Sequence, residues 1–182
     1  SNNNYTIVNT NDCPFELSKS VLKKIKDRFK NIDILLTGYG GAGPYPQCVD
    51  NFSLEQKKIE AKKKEENFLD KTIEYLRVLK PKYYLPFAGT YTLSGKLSNL
   101  QNLRGVPVID DAYNYIDNKI KTINEIKNIK SIKINPENEF DLKIEKSNKP
   151  FNKFNYSDYK NYISTHLINK KLSYETEDLV GF

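Results

Sequence analysis

The chain contains no methionine, not even at position 1, and a single histidine, His166. The missing initiator reads as an excised or trimmed segment of a longer protein, with Ser1-Asn2 as the scar. A lone histidine on a helical stretch, with no nucleophile or orienting acid beside it in sequence, offers no catalytic triad. Two cysteines, Cys13 and Cys48, are too few for a disulfide framework, and their spacing fits no zinc knuckle. No apolar run approaches the roughly 20 residues of a membrane-spanning helix. The first residues carry no signal-peptide pattern. These absences place the expectation on a soluble, cytoplasmic protein. No internal repeat or low-complexity tract stands out.

What is present can build a core. The 182 residues suit one ordinary domain or slightly more. Hydrophobic residues are 38% and charged residues 29%, a polar balance that 13 Tyr and 9 Phe offset with large apolar surfaces. The net charge is +6. Much of it sits in mixed-sign runs such as Lys62-Lys63-Lys64-Glu65-Glu66, the mark of a solvated helix face. That pattern argues against a nucleic-acid footprint. The later run Lys149-Pro150-Phe151-Asn152-Lys153-Phe154 reads as a linker docking its Phe residues on the core rather than as a single-strand binder.

Periodicity organises the first half. Tyr5-Thr6-Ile7-Val8 reads as a strand ending in the turn-favouring Asn9-Thr10-Asn11-Asp12. Residues 15–30 place Leu17, Val21, Leu22, Ile25 and Phe29 on a helical stripe. Ile32-Asp33-Ile34-Leu35-Leu36 fits a buried strand. The next ten residues, 37–46, hold four glycines and two prolines, so they form a loop able to wrap closely over something. Ser53-Leu54-Glu55-Gln56 is a capping box that opens a helix over 53–79, stopped by Lys80-Pro81. Tyr83-Tyr84-Leu85 is a third strand. Alternating strands and helices argue an α/β layer architecture.

The second half is less regular. Residues 97–103 suggest a short helix, and 116–126 are helical or extended. Val106-Pro107-Val108-Ile109 fits no element. Residues 130–134 and 140–144 alternate and predict a hairpin with each other. Residues 157–169 predict a helix with Tyr159, Tyr162, Ile163 and Leu167 inward. The acidic pair Asp110-Asp111 reads as solvated turn residues.

Three stretches together resemble a family. They are Asn11-Asp12-Cys13 after the first strand, the Gly-rich loop Gly38-Tyr39-Gly40-Gly41-Ala42-Gly43, and Pro86-Phe87-Ala88-Gly89 after the third. They are similar to the C-terminal half of metallo-β-lactamase-fold proteins, closest to the metallo-β-lactamase-like part of CMP-N-acetylneuraminate hydroxylase-type proteins. Ile132-Lys133-Ile134-Asn135-Pro136 and Phe140-Asp141-Leu142 add to the likeness, which spans roughly residues 5–145. The resemblance implies an αββα sandwich of two similar halves. Residues 1–146 would be the second half, and 147–182 a linker and helical extension.

The same resemblance implies a divalent metal, zinc, iron or manganese, held between the halves, with Asp12 as one ligand. Gly38, Tyr39, Gly40, Gly41, Phe87, Ala88 and Gly89 become candidates for the substrate loops. The substrate would be a small molecule or sugar nucleotide, the partner the absent N-terminal half or a second copy. Read by its residues alone, Asp12 could instead serve the turn or cap the helix that follows. Two departures count against catalysis. No His-x-His-x-Asp-His cluster exists here, and Ala88 stands near the place of the family's later histidine. The family's Rieske ligands also have no counterpart. The expectation is a hydrolase-like or hydroxylase-like enzyme that is inactive as this chain alone. The rival is a non-catalytic binding or scaffold domain with a degenerate metal site.

Overall fold

A computed structural model describes residues 5–171 and Glu175. Its first part alternates β1 (Ile7–Asn9), α1 (Phe15–Arg28), β2 (Ile34–Gly38), α2 (Leu54–Leu79) and β3 (Tyr83–Phe87). A 3₁₀ helix (Gly95–Leu103), α3 (Ile109–Thr122) and β4 (Lys130–Ser131) follow. The chain continues through β5 (Phe140–Asp141), β6 (Lys146–Ser147), α4 (Tyr156–Tyr162) and a π-helical turn (Ile163–Leu167).

The protein is α/β, with a four-stranded parallel sheet in the order β1-β2-β3-β4. Val8 aligns with Leu35, Leu35 with Tyr84, and Tyr84 with Ser131. Sequential order combined with right-handed crossovers puts every connecting helix on the same side of a sheet. The core has that composition. Leu35 and Tyr84 from the sheet pack with Leu22 of α1, Leu69, Ile73, Leu76 and Leu79 of α2, and Ala112, Ile116 and Ile120 of α3. Side chains alternate along a strand, so Ile7, Ile34, Leu36, Leu85 and Phe87 face the other way. None belongs to that core; Ile7 is exposed and the other four are half-buried. Among the described residues, the Tyr83 end of this second face is covered by Phe140, edge-on at 5.2 Å, and by a bond from the Tyr83 hydroxyl to Glu145, 2.6 Å.

Local chemistry explains the longest helix. Ser53 Oγ accepts from Gln56 N at 3.2 Å while Gln56 Oε1 accepts from Ser53 N at 2.8 Å, the reciprocal capping box read from the sequence. Its far end stops at Lys80, whose φ of 45° is left-handed, and Pro81 cannot continue the turn. The surface pairs Lys62–Glu65 and Lys62–Glu66, with Lys62 and Glu66 exposed and Glu65 half-buried, add little stability.

Four expectations are corrected. The α1 stripe is rotated: Phe15 and Leu22 are buried, whereas Leu17 is 81% and Val21 53% exposed. Phe15 sets the phase by packing edge-on against Tyr75 of α2 at 5.1 Å, which turns positions two and six residues later toward solvent. The expected 130–140 hairpin does not form. β4 instead extends the parallel sheet beside β3, with Ile132 N bonding Tyr84 O at 2.8 Å and Ile132 buried, and β5 pairs antiparallel with β6. Alternation fixes which residues face the same way but not which strand they join.

Residues 116–122 form the second half of α3, residues 123–126 lie beyond its end, and its first turn contains Asp110 and Asp111. These carboxylates dock the C-terminal segment rather than sitting in a turn: Asp110 accepts from Phe154 N at 2.7 Å and Asp111 from Tyr156 OH at 3.1 Å. Phe151 meets the core and stands edge-on to Tyr113 at 5.6 Å, so the linker does dock. Tyr162, expected inward, is exposed and stacks on His166.

Two outcomes are expected. Leu22→Ala costs about 2–5 kcal/mol of unfolding free energy, while Leu17→Ala changes it by under about 0.5 kcal/mol; urea titrations of both variants check the helix phase. Burial, then the Glu145 carboxylate, raises the Tyr83 hydroxyl to about 12. Burial, then Asp70, does the same for Tyr115, again to about 12. Burial also raises Tyr84 and Tyr113. These groups favour the protonated form more in the folded state than in the unfolded chain, where tyrosine titrates near about 10. Their contribution is therefore complete below pH about 10, and that of Tyr83 and Tyr115 is lost as pH rises from there through about 12. Unfolding free energies across that window, with phenolate absorbance alongside, test it.

Candidate functional site at the carboxyl edge of the sheet

In a parallel sheet the carboxyl ends of all strands lie on one edge, where α/β proteins gather ligand-contacting loops. Here the loops after β1, β2 and β3 converge. Asp12 sits in a turn closed by Cys13 N to Thr10 O at 3.1 Å and has a left-handed φ of 58°. It is exposed, and one carboxylate oxygen accepts from Asn11 Nδ2 at 3.1 Å. The helix-cap alternative is not realised, because Pro14 occupies the cap position and no side chain caps α1. The turn is fixed from behind by the Tyr75 hydroxyl, which donates to Cys13 O. Burial holds Tyr75 above the usual phenol range, so it stays a donor.

Asp12 shares a cavity of about 450 Å³ with Cys13, Thr37, Gly38, Gly40, Gly41, Phe68 and Lys71. The glycines let the walls approach. A Cβ on Gly38 would stand 3.1 Å from Asn11 Oδ1, and one on Gly41 would sit 2.3 Å from the Phe68 ring. α2 fixes the loop through Thr72 Oγ1 to Gly38 O at 3.2 Å. Thr37 is buried, and its hydroxyl has no partner among the described residues. A buried hydroxyl left unbonded is costly, so this one is free to meet a ligand or water. The cavity thus combines a carboxylate, an open hydroxyl and an ammonium group with an aromatic wall.

The other candidates divide differently. Tyr39 is a core residue, buried among the helices. Thr90 Oγ1 donates to Pro107 O at 3.0 Å, so the Tyr39 hydroxyl donates to Thr90 at 2.7 Å. Burial raises the Tyr39 pKa. Phe87, Ala88 and Gly89 do not line the Asp12 cavity. Gly89 serves packing: a Cβ there would meet the Tyr39 ring at 2.5 Å, and one on Gly40 would stand 2.7 Å from Gly89 O. Ala88 is exposed with a φ of 50°, and its methyl group cannot ligate. His166 lies on the C-terminal segment, against Tyr162 at 4.9 Å, and takes no part in the cavity.

The described residues do not make a metal centre by themselves. No group of three or more His, Cys, Asp or Glu side chains among them could hold an ion. Asp12 contributes one carboxylate, and a complete shell needs donors from elsewhere. Sequence reasoning missed Thr37, Phe68, Lys71 and Tyr75. Thr37 did carry a signal, a polar residue closing an apolar strand; the other three came into place only through the crossing of α2. No helix among the described residues is long and apolar enough to cross a membrane.

Gly89→Ala is expected to cost about 1–3 kcal/mol by overpacking against the Tyr39 ring. Tyr39→Leu in the same chain should recover part of that loss, and a double-mutant cycle by urea unfolding measures the coupling. No family model, curated protein or solved structure matches the chain.

Proposed function

We propose that this chain is the second half of a metallo-β-lactamase-like αββα sandwich from a cytoplasmic, metal-dependent enzyme, hydrolase-like or sugar-nucleotide hydroxylase-like. One observation carries the reading. All connecting helices lie on one side of the sheet, and the apolar row Ile7, Ile34, Leu36, Leu85 and Phe87 is left on the other. A second sheet layer would cover that row, as sheets packed face to face do. Its own strand ends would then meet the carboxyl edge where Asp12 stands. Asp12 would present one carboxylate to a zinc, iron or manganese ion whose remaining ligands come from the other half. Cavity residues Thr37 and Lys71 would hold polar or anionic parts of a small-molecule or sugar-nucleotide-like substrate. This chain alone is inactive on this reading.

A second reading, a non-catalytic binding domain with a degenerate site, is favoured by Ala88 and by the absence, among the described residues, of any group of three or more His, Cys, Asp or Glu side chains that could hold an ion.

Titration of the chain with zinc or manganese, followed by backbone amide resonances, separates the two. The first reading expects weak uptake centred on residues 10–13 and lost in Asp12→Ala. Uptake indifferent to that substitution, or robust hydrolase activity of these 182 residues alone, would sink it. This partly exposed row should also drive dimerisation of the isolated chain. Sedimentation is expected to show a dimer that Leu36→Lys converts to monomer; a monomeric parent chain at all concentrations counts against a missing layer.

A further inference from the structure

A second cavity, of about 520 Å³, shares no lining residue with the Asp12 cavity. It lies between α2, the 3₁₀ helix with the segment after it, and α4. Its volume falls in the range of small-molecule sites. Arg104 and Ser98 both line it, and each is only 5% exposed. Each also keeps a polar atom without a partner among the described residues, Arg104 Nη1 and Ser98 Oγ. Arg104 donates through Nε to Gln101 O at 2.7 Å and lies over the Tyr91 ring at 5.4 Å, but forms no ion pair among the described residues. A buried guanidinium without a counter-charge is expensive.

Among the described residues, the acids at this cavity are already engaged. Asp111 accepts from Tyr156 OH at 3.1 Å, and Glu65 pairs with Lys62 at 3.6 Å. The nearby Lys64 ammonium, which donates to Arg104 O at 2.9 Å, is cation rather than anion, and burial lowers its pKa. The element missing among the described residues is therefore an acceptor that carries negative charge. The remaining lining offers flat and apolar surface: Tyr156, Tyr159, Val106 and Ile163.

We propose that this cavity binds a small organic anion, a carboxylate or phosphate on a ring-sized body, with Arg104 and Ser98 taking the anionic group and Tyr156 and Tyr159 the ring. The planar guanidinium suits both head groups, since each offers two oxygens to its fork. Lys58, Lys62 and Lys160 at the same cavity raise the local concentration of anions.

The test titrates the full chain with phenyl phosphate, benzoate and neutral phenol, read by amide resonances of residues 98 and 104–108. One or both anions should bind, phenol at least tenfold more weakly, and the tighter anion identifies the head group. Arg104→Gln should weaken anion binding about tenfold or more, and Ser98→Ala several-fold. Asp12→Ala should leave it unchanged, which separates this site from the proposed metal edge. If Arg104→Gln does not fold, Ser98→Ala and the phenol comparison decide. Equal binding of phenol, anion binding indifferent to Ser98→Ala, or no response to either anion at millimolar concentration overturns the proposal.

Discussion

The constraint on which the structure depends is the unbroken order of its parallel strands. Each crossover steps to the next strand in the same direction, so α1, α2 and α3 share one side of the sheet. That choice gives a core of Leu35 and Tyr84 beneath three helices. It also leaves the second face with half-buried aliphatic residues, and it delivers the three strand-end loops to one edge. A doubly wound arrangement of the same elements would have buried both faces and needed nothing further.

Within that frame, α2 sets the geometry of the edge. Thr72 ties it to Gly38, Tyr75 ties it to the Asp12 turn, and Phe68 closes the cavity against Gly41. The Gly-rich loop is consequently held rather than loose. Part of its glycine content serves close packing, as at Gly40 against the backbone of Gly89, and part opens space beside Asp12.

The legible features were those encoded locally. The capping box at Ser53, the stop at Lys80-Pro81 and the β-α-β alternation rest on neighbours within a few residues. Asp12 at a strand end was legible for the same reason. The phase of α1 was not, because Phe15 wins the inward position through Tyr75, 60 residues later in the chain. The partner of β4 depended on which sheet edge remained open. The buried state of Arg104 was equally hidden, although arginine is scarce here, only three among 29 basic residues. One of those three placed within Leu103-Arg104-Gly105-Val106-Pro107-Val108 was a faint signal. The roles of Asp110 and Asp111 required knowing where residues 154–156 would return.

The 26-residue α2 has a consequence for reading any change made in it. It runs about 39 Å at the rise of an α-helix, and both cavities lean on neighbouring turns of it: Ala61 and Glu65 on one, Phe68 and Lys71 on the other. Lys64, which holds the backbone of Arg104, and Thr72, which holds Gly38, are about two turns apart. The helix is a common wall, and a shift in its rotation or register cannot be confined to one chamber.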